Sequence, residues 1–288
     1  QLLRSYFFIS HCALAHVSDI VETYEARYNP IKKTSLLGQP GFTAEPFVHD
    51  ILTQSVSPRL QSELAQLMSL RVAIVHDWCP SFRGGERVLS ELCSLFPNSD
   101  VYTLFDFLSA DVKDRHFKDV RFFTSAANKL PFVERYYRGL FFMCPFLIEQ
   151  FDVTGYDAVI SSSAAFARGI LTRPDQPHLC YVHSPVRYAW DEQFSYLEQG
   201  RLGFGPVGIV YRKLLYNLRI WDTRTGNGPD VMLANSNFIR QRINRVYGRS
   251  AEVVFPPVDV EEMSLEPVKT DTYVTASFLA PYKRTDLV

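Results

Sequence analysis

Two adjacent glycines, Gly84 and Gly85, sit between a β-branched run and a helical pattern, and here the sequence first offers chemistry. Lacking side chains, they let a backbone pass close to a ligand. The helix that follows presents free N–H groups and about half a positive charge at its start. A diphosphate suits such a place, although the same pair could serve only a tight turn. Around it stand His76, Asp77, Trp78 and Arg83, with Glu86 and Arg87 on the first helical turn as further polar candidates for ligand contact.

A second polar group follows the apolar run that ends at Val182: His183, Ser184, Pro185, Tyr188, Trp190 and Asp191. A neutral imidazole both donates and accepts, which matches a sugar hydroxyl. Trp190 offers a face for a sugar ring and Asp191 an acceptor for hydroxyl groups. A lone histidine can equally be a satisfied structural residue. A third group, Lys283 and Arg284, follows the run Tyr273–Ala276; an ammonium and a guanidinium could neutralise phosphate there, or remain two solvated charges.

Other chemistries find less support. No G-x-G-x-x-G and no G-x-x-x-x-G-K-[ST] occurs, which counts against dinucleotide enzymes and P-loop NTPases. Ser161–Ser163 lacks the flanking glycines of a hydrolase nucleophile elbow.

These groups need elements to hold them. From residue 71 onward strand and helix signals alternate: Arg71–Val75 as a strand, then Glu86–Phe96 as a helix with Val88, Leu89, Leu92 and Leu95 on one face. Further strands are expected over Asp100–Leu104, Val120–Phe123, Asp157–Ser161, His178–His183, Val231–Asn235 and Glu252–Phe255. Helices are expected over Phe132–Phe142 and through Phe238, Ile239, Ile243 and Val246. Such alternation implies an α/β fold, a doubly wound, mostly parallel sheet covered on both faces. In such sheets ligands bind beyond the carboxyl ends of the strands, where the polar groups above fall.

The bulk numbers agree with a globular protein. Of 288 residues 47% are apolar, and 30 basic side chains nearly cancel 31 acidic ones, so no global field draws nucleic acid. Five scattered cysteines, Cys12, Cys79, Cys93, Cys144 and Cys180, argue against a disulfide framework and a structural zinc site, and a reducing cytoplasm fits them. No metal is expected. No run approaches the roughly 20 apolar residues of a membrane span. Residues 1–70 read as an extension of unassigned role, helical only near Leu60–Leu70. Residues 71–265 read as one Rossmann-like domain, and 266–288 as the start of a second, cut short.

In consistent order, the stretches VHDW (75–78), RGGERVL (83–89), LFPNSDVYTLF (95–105), IEQFDVTGYDAVISSS (148–163), YVHSPVRYAWD (181–191), ANSNFI (234–239), FPPVDV (255–260) and PYKRTDLV (281–288) closely resemble glycosyltransferase family 4. The subgroup they are most similar to comprises mannosyltransferases of polysaccharide and lipopolysaccharide assembly. The resemblance covers about residues 71–288. It implies a GT-B fold, with an acceptor-side domain facing a donor-binding one, and transfer with retained anomeric configuration and no essential metal or cofactor. It places Gly84 and Gly85 against the diphosphate of a nucleotide sugar such as GDP-mannose, His183 toward the transferred sugar as the catalytic side chain, and Lys283 on the phosphates. Where the family usually carries an arginine, this chain has Phe278. The acceptor would be lipid-linked or a glycan, and residues 1–288 alone would lack most of the donor-binding domain and be inactive. A non-catalytic sugar- or nucleotide-binding fragment is the alternative. Arg135–Phe146 reads as a buried helix, with peripheral contact to the inner face of the membrane as its other reading.

Overall fold

A computed structural model of the chain describes residues 69–200, 205–258 and 271. Two compact units divide between Pro256 and Pro257, and every element named here belongs to the first. Seven strands form one sheet: β1 (Val72–His76), β2 (Ser99–Thr103), β3 (Arg121–Thr124), β4 (Ala158–Ser163), β5 (His178–Val182), β6 (Val231–Ala234) and β7 (Glu252–Val253). Their order is β3-β2-β1-β4-β5-β6-β7, and every pairing is parallel. This is the doubly wound α/β sheet that the alternation implies. Winding reverses between β1 and β4, which puts the crevice for a ligand at their carboxyl ends.

Burial explains the strand compositions. All of β1, β2, β4 and β5 is buried, as a sheet covered on both faces requires. Successive side chains point to opposite faces, so β1 splits its residues between two cores. Val72 and Ile74 pack with Val88, Leu89 and Leu92 of helix α1 (Gly84–Leu95). Ala73 and Val75 pack with Phe105, Tyr137, Ile148, Phe166 and Leu215 on the other side.

Helices α2 (Ala110–His116), α3 (Cys144–Ile148), α4 (Gln193–Gln199), α5 (Pro206–Thr225) and α6 (Asn237–Tyr247) complete the layers. The sequence pattern missed α5, the longest helix among the described residues. Its buried stripe is Leu215, Leu218, Asp222 and Thr225, helical in spacing but half polar, while Val207, Ile209 and Val210 face outward. The helix expected over Phe132–Phe142 is instead two 3₁₀ segments, Val133–Arg135 and Tyr137–Phe142. Phe132 sits in the left-handed region at φ 55°, and Tyr136 leaves helical geometry at φ −133°, so no continuous ladder forms. Nor is this stretch simply buried: Tyr137 and Phe141 are, whereas Phe132, Phe142 and Phe146 are exposed.

Lys283, Arg284, Phe278, Cys12 and the extension up to residue 68 lie outside the described residues.

Candidate active site at the carboxyl ends of the first, fourth and fifth strands

Helix α1 begins where the two glycines stand. Arg83 is its N-cap, with extended backbone at φ −139°, and its N–H donates to Glu86 Oε2 at 3.0 Å. Glu86 is therefore buried and turned back on its own helix, closing one of the orphan donors of the first turn. Arg87 stands exposed one residue on.

The tight-turn reading of the glycines can be weighed directly. Among the described residues only Gly248 is a glycine with positive φ, so Gly84 and Gly85 need no special backbone. A Cβ on Gly84 would meet nothing within 4 Å, and one on Gly85 would make ordinary contact, 3.6 Å, with Cε1 of His76. The fold therefore does not itself demand glycine at either position. What the missing side chains leave is open room at the positive end of a 12-residue helix.

His183 follows β5 directly and is locked from three sides. Its backbone N–H donates to Ser163 at 2.8 Å, and its carbonyl accepts from Asn235 Nδ2 at 3.1 Å. Its Nε2 shares a hydrogen bond with Ser162 Oγ at 2.8 Å. His76 meets it edge to face, ring centroids 6.2 Å apart. Burial, reinforced by His76 and opposed by Asp77, pushes the His183 imidazole down to about 4. At neutral pH the ring is uncharged, able to donate or accept. Gly85, His76 and His183 thus form one continuous line across the switch point.

Asp77 has a different task. Fully buried, it accepts four backbone N–H groups, those of Ala164 (2.5 Å) and Ala165 (2.8 Å) on Oδ2 and of Phe166 and Ala167 (both 2.6 Å) on Oδ1. It clamps the loop after β4 to the end of β1.

Trp190 and Asp191 are not gathered into that line by any contact. The Trp190 indole donates to Asp222 Oδ2 at 2.7 Å, where the buried guanidinium of Arg168 and the Tyr247 hydroxyl (3.1 Å) also converge. Asp191 pairs with Arg242, whose Nη1 also donates to Ser184 Oγ at 2.8 Å. Both residues, as placed, brace the segment after His183. Sequence reasoning singled out Asp77 only as a polar residue after the first strand, and missed Ser162, Asn235, Arg168, Asp222 and Arg242 as a supporting set. Position just beyond a strand was the available signal for Asp77 and Asn235. Arg168 and Asp222, far apart in sequence, carried none.

The profile of glycosyltransferase family 4 matches residues 82–262, more than half of the chain. This chain belongs to glycosyltransferase family 4. The match opens just before the Gly84–Gly85 pair and runs past β7. No curated protein matched the chain. Among solved structures, three of HepE from Anabaena are similar. The complex with UDP is 14% identical at TM-score 0.38, covering 67% of this chain and 45% of that one. The UDP-glucose complex is 16% identical at TM-score 0.39, covering 68% and 46%. The complex with UDP and glucose is 16% identical at TM-score 0.39, covering 69% and 47%. The chain thus spans under half the length of these structures. Among the described residues no helix of this family 4 chain is long and apolar enough to cross a membrane.

Proposed function

We propose that the protein is a retaining glycosyltransferase that moves a hexose, mannose being the leading candidate, from a nucleotide sugar to a lipid-linked or oligosaccharide acceptor in cell-surface polysaccharide assembly. The observation that carries this reading is the line Gly85–His76–His183 at the switch point, which brings an open helix N-terminus beside a neutral histidine. Gly84 and Gly85 let the donor diphosphate approach the N–H groups of α1; Lys283 and Arg284, outside the described residues, are candidate phosphate-binding cations on the family resemblance alone. His183 faces the transferred sugar; Glu86, Arg87, Trp190 and Asp191 are the candidate sugar or acceptor contacts.

Breaking a glycosyl–phosphate bond leaves positive charge on the sugar and negative charge on the departing diphosphate. Fixed donors and side-chain cations aimed at that leaving group lower the barrier, and no metal or other cofactor is needed for it. The carboxylates of Asp77 and Glu86 are both engaged with backbone N–H groups, which speaks against either acting as a covalent nucleophile. The acceptor hydroxyl gives its proton to the leaving phosphate, on the face from which that phosphate departs, and the anomeric configuration is kept.

A lipid-linked acceptor is favoured by the exposed Phe132, Phe142 and Phe146 beside the exposed Arg135 and Arg138, a surface that suits peripheral contact with the inner face of an anionic membrane.

The test is transfer by the full-length protein from GDP-mannose and UDP-glucose to lipid-linked acceptors, with the product anomer read by NMR. Transfer with retention from one donor is expected. Failure with every nucleotide sugar overturns the reading.

A further inference from the structure

His76 ends β1 and is 5% exposed. Its Nδ1 is buried with no hydrogen-bond partner among the described residues. Strand alternation puts its ring on the α1 side with Val72 and Ile74, between Thr103 on β2 and Ser162 on β4. Each polar neighbour is committed elsewhere. The Asp77 carboxylate holds the Ala164–Ala167 N–H groups, Glu86 holds the N–H of Arg83, and Ser162 holds His183. The imidazole is the polar group left over.

Its tautomer follows from that isolation. A buried N–H without an acceptor is the rarer and costlier orphan, and a buried lone pair is better tolerated. The proton therefore sits on Nε2 rather than on Nδ1. The Cε1–Nε2 edge is the one turned to Gly85, at 3.6 and 3.8 Å from the place a Cβ would occupy.

We infer that His76 donates from Nε2 to the phosphate oxygens of a diphosphate seated at the N-terminus of α1, reaching them through the gap that Gly85 leaves. This rests on the reading of that helix end as the donor-diphosphate site. It makes His76 a side-chain donor there beside the backbone N–H groups, and gives Gly85 a second purpose: a side chain there would cover the imidazole edge as well as the helix end.

The first test needs no variant. In protein labelled with ¹⁵N-histidine, the free state is expected to show His76 protonated on Nε2 and bare on Nδ1, and inorganic pyrophosphate is expected to shift the Nε2 resonance. A proton on Nδ1 in the free protein overturns the inference. The second test uses amide mimics, since a glutamine amide nitrogen reaches the place of Nε2 and an asparagine amide that of Nδ1. His76→Gln should bind pyrophosphate within about threefold of the parent, and His76→Asn about tenfold more weakly. Parental affinity in both variants, with binding abolished by Gly85→Val, removes His76 and leaves the diphosphate site standing. Pyrophosphate that shifts neither His76 nor the amides of Gly84 and Gly85 removes both.

Discussion

Ser162 Oγ lies 2.8 Å from His183 Nε2, so a serine at the end of one strand sets the tilt of a histidine at the end of the next. With Asn235 on its carbonyl and His76 against its ring, His183 is held before any substrate arrives.

Burial of neutral histidines makes stability depend on pH. His183 and His178 are each pushed down to about 4, chiefly by desolvation, from the ordinary value of 6.5. Between those values the unfolded chain binds more protons than the folded one. Stability is therefore complete above about pH 6.5 and is lost as pH falls toward 4. Urea melts across this window should give a slope of up to about 1.4 kcal/mol per pH unit from His178, and less from His183, which keeps some contact with solvent. His178→Gln should flatten the curve; an unchanged slope in that variant contradicts the assignment.

Gly85→Val tests the open helix end. A Cβ there makes only ordinary contact with His76, so the fold should survive with a melting temperature within a few degrees of the parent. Transfer should fall by about 10²-fold or more, because the branched side chain stands where the diphosphate approaches. A variant that folds and works normally returns the pair to a plain turn.

Asp77→Ala strips the acceptor from four buried N–H groups at once. A loss of about 3 kcal/mol or more is expected in chemical denaturation. A change under about 1 kcal/mol would show that the loop after β4 holds itself.

Arg168 and Asp222 form a buried ion pair to which Trp190 and Tyr247 also bind. Arg168→Met alone should cost about 3–5 kcal/mol by stranding the Asp222 carboxylate, and Asp222→Leu added to it should recover part of that. No recovery in the double variant indicates that Trp190 and Tyr247, rather than the charge, carry the loss.

Much of the frame is legible in the chain because strand burial writes itself as β-branched runs: Val72–His76, Val231–Ala234 and the neighbours of each are found within a residue or two of expectation. Helix α5 is not, since its inner stripe includes Asp222 and Thr225 while isoleucine and valine face outward; there an internal ion network overrides the usual pattern. Phe132–Phe142 fails for a local reason, the left-handed Phe132, which no hydrophobic period reveals. At the candidate site His183 stands out by its place after a strand. Ser162 could not, because its meaning depends on the register of β4 against β5. Trp190 looks like a sugar platform in sequence, whereas its indole N–H is committed to a carboxylate 32 residues away.

The most direct test of the account is His183→Ala in the full-length protein, with steady-state kinetics and melting temperature measured on one preparation. If the neutral imidazole binds the reacting sugar more strongly as charge develops, kcat and kcat/KM fall together by about 10²-fold while KM stays near the parental value. A variant that melts lower yet turns over normally in its folded fraction contradicts the account, and leaves His183 a packing residue between Ser162 and His76.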